Sequence, residues 1–317
     1  MHLQSVLNVA VRVKSVPQLQ IVEKIPVVID RDINISYENN WWLYCATLPI
    51  MWVLTFWVIL KKKIFRNNLE TNTLWFDGLS KSCRQVKEGA ASWHALDVIY
   101  NFPFGRESKV GDYWFGMMNA QAVRNRLKIV KRELMSAIEH VARTNQQIRL
   151  LSLACGSAQA VIEIMAEMKE LDIRATVVDL DPTAIDYART LAKQYGIEDK
   201  ITFIVGGVSN VEKVTNGARP HIIEMVGFLD YRPDAKAVRL VSQIHKSLLP
   251  NGIFLTGNTC PNLEQHFLRW VINWSMIYRK PKVLGDIITK AGFLAQDCRI
   301  FCEPLGIHAV AVCRKFV

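Results

Sequence analysis

Residues 148–181 read IRLLSLACGSAQAVIEIMAEMKELDIRATVVDLD and decide the fold. An apolar run ends in a turn of small residues, a helical segment follows, and a second apolar run ends at Asp179. This order predicts a strand, a turn that lets a ligand approach the backbone, a helix whose N-terminus faces that ligand, and an acidic group positioned for ribose hydroxyls. Asp179 lies 23 residues after Gly156, close to the roughly 20 of a nucleoside-binding unit. The alternative is an ordinary strand–helix–strand unit with a solvated Asp179.

Strand-like and helix-like segments alternate from residue 146 onward, which predicts a mainly parallel sheet covered on both faces. Strands are expected near 148–154, 174–179, 201–205, 221–226, 252–257, 297–302 and 307–314. Helices are expected near 159–170, 182–195, 234–248, 262–279 and 283–291. Only Glu303–Gly306 separates the last two strands, too few residues for a helical crossover, so these strands should pair antiparallel.

Several segments resemble the class I S-adenosylmethionine-dependent methyltransferases, and within them a bacterial group whose substrate is unassigned. LLSLACGSAQA (150–160) is similar to the family's first motif, TVVDLDPTAIDYAR (176–189) to its second, and LLPNGIFLTGN (248–258) to the entry into its fifth strand. GFLDYRPD (227–234), GNTCPN (257–262) and WSMIYR (274–279) resemble the narrower group. The resemblance implies a doubly wound α/β fold with a mainly parallel seven-stranded sheet and a C-terminal antiparallel hairpin.

The resemblance also implies which residues bind S-adenosylmethionine. The expected cofactor-binding residues are Ala154, Cys155, Gly156, Ser157, Ala158, Asp179, Leu180, Gly207 and Gly227. Tyr231 and Asn258, near the mouth of the predicted pocket, are the candidate catalytic residues that orient a methyl acceptor. Gly207 departs from the family pattern, because an acidic residue usually contacts the adenine there. Ser209, Asn210 or the backbone would then read the adenine.

Other side chains allow two interpretations each. Glu224 lies within an apolar strand and is either a tuned acid or base, or a solvated group at the strand end. Arg124 or Arg126 would bind the cofactor carboxylate, or would belong to a solvated helix face. Asp181 precedes Pro182 and should cap the following helix. The aromatic residues of helix 262–279 would share one face, either packed against the sheet or forming a wall of the acceptor pocket.

The N-terminal third predicts a membrane anchor. Trp41–Leu60 carries no charge and would span about 30 Å as a helix, and the lysines at 61–63 place the C-terminal side in the cytoplasm. The predicted segments are an extracytoplasmic 1–38, a single-pass transmembrane anchor 39–66, a helical linker or cap 67–145, and a Rossmann-like domain 146–317. The acceptor is expected to be a small molecule or a hydrophobic, lipid-like compound, because the anchor would hold the protein at a membrane.

The composition narrows the functional classes. The seven cysteines lack disulfide-framework or metal-ligand spacing, which is typical of reduced thiols. The net charge of +10 is not accompanied by a recognisable nucleic-acid-binding module, so nucleic acid is not expected as a partner. Because no metal-ligand spacing is present, a metal is not expected either. The leading function is a membrane-anchored methyltransferase. The alternatives are a catalytically degenerate membrane-tethered scaffold and a nicotinamide-dependent oxidoreductase, the latter disfavoured because the turn has only one glycine.

Overall fold

The computed structural model describes residues 24–33, 41–65, 73–208, 211–214 and 217–316, and within them one eight-stranded sheet. The strands are β1 Val27–Ile29, β2 Gln147–Leu153, β3 Asp172–Asp179, β4 Ile201–Val205, β5 Ile222–Met225, β6 Ile253–Thr259, β7 Cys298–Cys302 and β8 His308–Arg314. The helices are α1 Trp41–Ile64, α2 Lys81–Glu88, α3 Trp93–Tyr100, α4 Lys109–Phe115, α5 Met118–Ala142, α6 Gln159–Glu167, α7 Pro182–Gln194, α8 Val211–Val214, α9 Asp234–Ser247, α10 Gln265–Trp270 and α11 Pro281–Lys290. A π-helical turn, Leu74–Gly78, precedes α2.

The sheet has the strand order β1-β7-β8-β6-β5-β2-β3-β4. Strand β8 runs antiparallel to both β6 and β7, and the remaining pairs are parallel. The predicted seven strands and the C-terminal antiparallel hairpin are therefore confirmed. Helices cover both faces, because the central strands are apolar on both sides: every residue of β5 and β6 is buried.

The eighth strand, β1, extends the predicted sheet and lies in the segment that the sequence assigns to the extracytoplasmic side. Val27–Ile29 pair in parallel with Ile300–Cys302, and the Asp30 carboxylate forms a salt bridge with Arg132 of α5. Ile25 is buried in the core beside the sheet. Residues 24–33 therefore pack with the α/β domain. Residues 1–23 and 34–40 lie outside the described residues.

Helix α1 is, by length and composition, a candidate membrane span. One of its faces is buried on the domain between Tyr44 and Val58, including Met51 and Thr55, and α1 packs on α10. The described chain before α1 contributes β1 to the sheet, and the described chain after it enters the helical region.

The region predicted as one helix, 262–279, contains only the short helix α10. The chain leaves the helix at Val271, and Asn273 has a left-handed φ of 65°. The expected single aromatic helix face is therefore wrong. Trp274 instead turns into the core, where its Nε1 donates a hydrogen bond to the Tyr231 hydroxyl (2.6 Å).

The predicted helical segment 67–145 contains α2 to α5 where it is described. Two basic residues of α5, Lys131 and Arg132, form ion pairs within the protein. The Lys131 ammonium lies 3.1 Å from a Glu163 carboxylate oxygen, and Arg132 pairs with Asp30 and Glu133. These pairs attach α5 to α6 and to the N-terminal strand.

Candidate functional site

A cleft of about 750 Å³ opens at the carboxyl ends of the parallel strands. Strand β2 is flanked by β3 on one side and β5 on the other, so the strand order reverses at β2. Ligands of open parallel sheets bind at such a point. The lining includes all nine predicted cofactor-binding residues and Tyr231. Asn258 is not among the lining residues.

The turn after β2 has an unusual backbone. Ala154, Gly156 and Ala158 all have left-handed φ angles, of 49°, 54° and 51°. Glycine adopts this conformation freely, whereas each alanine pays about 1–2 kcal/mol. Three alternate residues of the turn thus share the left-handed conformation, although two of them carry a methyl group. A methyl at position 156 would meet the Trp93 Cβ at 3.1 Å, so only glycine fits there without a shift.

Asp179 holds this turn from the end of the neighbouring strand. One carboxylate oxygen accepts the Gly156 N–H (2.8 Å) and the other accepts the Asp181 N–H (2.9 Å). A carboxylate has about four lone-pair sites, so two backbone bonds leave acceptor capacity for a ligand. Asp181 caps α7 by accepting the Thr183 N–H (2.8 Å), which confirms the predicted cap.

Small and apolar groups form the cleft wall beyond β3 and β4. Leu180 is 75% exposed and lines the cleft together with Gly206 and Gly207. The Gly206 N–H is bonded to the Asp179 carbonyl (2.8 Å). Gly207 supplies no side chain, and Ser209 and Asn210, the expected substitutes, lie outside the described residues.

The two arginines that the sequence left as alternatives are separated by the structure. Arg126 lines the cleft with a buried guanidinium, whose Nη2 donates to the Tyr100 hydroxyl (3.1 Å). Arg124 instead donates to the Phe115 carbonyl (2.8 Å) and lies over the Phe104 ring. A buried cation at the edge of the cleft suits an anionic ligand group, because its charge is poorly screened there.

Glu224 lines the cleft at the end of β5 and is buried. Its carboxyl accepts the Ser152 hydroxyl (2.5 Å) and the Val226 N–H (2.9 Å). Burial raises the pKa of Glu224 to about 7, although both hydrogen bonds and the nearby Arg126 charge act in the opposite direction. A carboxyl with such a pKa can hold or release a proton near neutrality. Burial, with the Asp179 and Glu224 charges, raises the pKa of the neighbouring Cys155 thiol, which therefore stays protonated.

Tyr231 and Asn258 have different surroundings. The Tyr231 ring lines the cleft, and burial raises its pKa to about 12, so the hydroxyl stays neutral. Asn258 is 1% exposed. Its amide donates to the carbonyls of Thr259 and Ile277 and accepts from the Arg279 guanidinium. The expectation that Asn258 projects at the pocket mouth is wrong, because all of its polar atoms are used to join β6 to the segment before α11.

Residues from the segment 91–100 also line the cleft, and no sequence motif predicts that they belong to the site. Trp93, at the start of α3, lies against the Gly156 turn, and its Nε1 donates to the Thr183 hydroxyl of α7 (3.1 Å). Tyr187 of α7 bonds in turn to Asp97 of α3 (2.8 Å). These contacts join segments about ninety residues apart in the chain, so no local sequence pattern predicts them.

A second, smaller cavity of about 70 Å³ lies behind the Tyr231 wall. Its lining is mostly apolar and includes Ile99, Trp114, Val123, Phe267, Trp274 and Met276. Trp274 connects the two spaces, since it lines this cavity and donates to the Tyr231 hydroxyl of the cleft. Among the residues that the structure describes, no group of three His, Cys, Asp or Glu side chains could hold a metal ion.

Comparisons with known proteins agree with this architecture. The family described as "Putative methyltransferase" matches residues 54–315. No curated protein matches the chain in sequence. A solved structure described as a possible exported protein from Bordetella parapertussis is 16% identical, covers 90% of this chain and 100% of its own, and superposes with a TM-score of 0.62. An O-methyltransferase family protein from Burkholderia thailandensis is 12% identical, with coverages of 85% and 71% and a TM-score of 0.50. At these identities the likeness shows a shared fold.

Proposed function

The chain belongs to the methyltransferase family that matches residues 54–315, and we propose that it transfers a methyl group from S-adenosylmethionine to a small, hydrophobic acceptor. The observation that carries this proposal is the joint placement of the left-handed turn 154–158 and the Asp179 carboxylate on one cleft. A nucleoside needs both: backbone that it can approach and an acceptor for its ribose hydroxyls.

The residues of the cleft fit each part of the cofactor. The lone pairs of Asp179 that its backbone bonds leave over suit the ribose, and the exposed Leu180 with the bare backbone at Gly207 suits the flat adenine. Arg126 suits the carboxylate of the aminoacyl part, since a guanidinium pairs with a carboxylate through two hydrogen bonds. When bound, the cofactor supplies an electrophilic methyl group on a positively charged sulfur.

The protein's own contribution is to orient an acceptor, exclude water and manage a proton. The cover made by Trp93 and α3 restricts solvent over the turn. Tyr231, at the boundary between the cleft and the apolar cavity, is the residue that we propose orients the acceptor. Glu224 is the group suited to accept a proton if the acceptor is a hydroxyl, because its pKa lies near neutrality.

The proposed hydrophobic acceptor rests on the apolar cavity behind Tyr231. A space of about 70 Å³ takes only a small apolar group, so it would hold part of a larger acceptor. Methyl transfer from labelled cofactor should place the label in the organic phase of a lipid extract. Label confined to water-soluble products would contradict a hydrophobic acceptor and leave the cofactor assignment intact.

Calorimetry on the purified full chain tests the cofactor assignment. We expect S-adenosylhomocysteine to bind and NAD⁺ not to bind, and Gly156→Val to abolish binding because a side chain there meets Trp93. Binding of NAD⁺ alone would favour the oxidoreductase. Binding of neither ligand to a folded chain would favour the degenerate scaffold.

A further inference from the structure

The outer face of α1 is a continuous apolar surface. Opposite the buried Tyr44, Met51 and Val58, the helix exposes Trp42, Leu43, Ile50, Trp52, Val53, Phe56, Trp57 and Leu60. Val53 and Phe56, at its middle, are 69% and 66% exposed. Single exposed apolar residues are ordinary, but a contiguous surface of this kind marks a binding face.

We propose that α1 lies flat in the surface of an anionic membrane, with its outer face in the acyl boundary and the whole α/β domain on one side. The packing explains the orientation, because the inner face of α1 is already buried between Tyr44 and Val58, where α1 packs on α10. Strand β1 and the domain share one sheet, so the chain enters and leaves α1 on the same side. Helix α1 therefore attaches the protein to the membrane without crossing it.

The positive charge next to this apolar face indicates which kind of surface binds to it. Lys61, Lys62 and Lys63 follow the apolar surface directly, and the Lys61 ammonium lies 3.6 Å from the centre of the Trp57 ring. Tryptophan and lysine together are typical of the headgroup level of a bilayer. The Lys62 ammonium donates to the Trp270 carbonyl (2.9 Å) and to the Asn273 side-chain oxygen (2.5 Å), so the charge argument rests on Lys61 and Lys63. Helix α1 contains no acidic residue, so a second copy of α1 would offer these two ammonium groups no carboxylate, whereas anionic headgroups carry the complementary charge.

This inference does not depend on the proposed function, since none of its residues lines the cleft. Its natural probe is Cys45, an exposed cysteine on α1, whereas Cys155 is half-buried and the other five are buried. The purified full chain would be mixed with vesicles of phosphatidylglycerol and phosphatidylcholine, or of phosphatidylcholine alone. We expect flotation with the anionic vesicles, reduced by high salt, and protection of Cys45 from a membrane-impermeant maleimide.

Two substitutions give a matched comparison. Phe56→Asp places a charge on the outer face, and we expect vesicle binding to fall by at least about tenfold. Leu294→Asp changes an apolar residue of similar exposure, 53%, and should leave binding unchanged. Binding of S-adenosylhomocysteine to both variants should equal that of the wild-type chain, which keeps this test separate from the proposed function.

Topology supplies the decisive measurement. In sealed cells, one reporter fused to the N-terminus or to the C-terminus should be found in the same compartment. Reporters on opposite sides would overturn the proposal in favour of a spanning helix. Equal flotation of the Phe56→Asp variant, or no flotation together with a dimer that this variant disrupts, would overturn it in favour of another occupant.

Discussion

Asp179→Asn separates the two tasks assigned to that side chain. The carboxylate accepts the N–H groups of Gly156 and Asp181 on different oxygens. Asparagine offers one carbonyl oxygen and one NH₂ group, so one of these donors would lose its acceptor. Leaving a partly buried donor unsatisfied costs about 1–3 kcal/mol. We therefore expect the melting temperature to fall by about 3 °C for a loss near 2 kcal/mol, because the unfolding entropy of a chain this long is large.

The same substitution should weaken the ligand more than the fold. Hydrogen bonds to a charged acceptor contribute about 1.5–3 kcal/mol, so losing the charge should reduce affinity for S-adenosylhomocysteine by about 10- to 150-fold. Calorimetry on the full chain, below the melting temperature of the variant, measures this directly. Asp186→Asn is the control, because Asp186 is an exposed residue of α7 away from the cleft lining. Unchanged affinity in a destabilised Asp179→Asn protein would refute the assignment of Asp179 to the ribose.

Four further predictions concern groups in the site and beside it. The raised pKa of Glu224 means that the folded chain keeps a proton between its ordinary value of 4.5 and about 7, while the unfolded chain releases it. The free energy of unfolding should therefore fall by about 3 kcal/mol as pH rises through this interval, and urea titrations should show that Glu224→Gln removes this loss. Arg126→Met should weaken S-adenosylhomocysteine by about 10- to 100-fold but leave 5′-methylthioadenosine, which lacks the aminoacyl part, unchanged in calorimetry; equal weakening of both would contradict a carboxylate role. Asn258→Ala should lower the free energy of unfolding by about 2–3 kcal/mol in urea titrations without altering cofactor affinity. Tyr231→Phe should reduce the rate of methyl transfer and leave cofactor affinity unchanged. An unchanged rate would show that Tyr231 does not orient the acceptor.

The sequence predicted the seven strands β2 to β8 because each is a short apolar run bounded by turn residues. It did not place β1 in the sheet, since Val27–Ile29 form an edge strand whose side chains are exposed and whose partner follows some 270 residues later. It overextended the helix at 262–279 because the aromatic spacing there is helical, while the left-handed Asn273 that ends the helical path follows from packing.

The structure brings together those proposed site residues that follow the ends of parallel strands. The turn 154–158, Asp179 and Tyr231 meet at one cleft because parallel strands bring their carboxyl ends together. Asn258 follows the same rule in sequence, yet its side chain turns away to bond Arg279. Arg124 and Arg126 could not be distinguished beforehand, because both lie on one helix and only packing decides which enters the cleft.

The packing of α1 on the domain also could not be predicted from local sequence. Trp41–Leu60 has the length and composition of a span, and nothing local shows that one face of α1 is covered by protein. The buried positions 44, 51 and 58 recur every seven residues, the spacing of a helix packed along another surface. Because the exposed positions of α1 are also apolar, its hydropathy does not distinguish a helix packed on protein along one face from a helix that spans a membrane.

The presence of one glycine instead of three in the turn 154–158 does not by itself indicate that the protein has lost its ligand. Two alanines in the left-handed region cost about 1–2 kcal/mol each, and this strain persists only if surrounding contacts hold the turn. Those contacts are present: the Asp179 carboxylate holds the Gly156 N–H, the Val178 carbonyl holds the Cys155 N–H, and Trp93 closes over the turn. A fold that had lost its ligand would be free to relax such a bend. Its retention around an open cleft, with a buried arginine at the edge, is what a binding site requires.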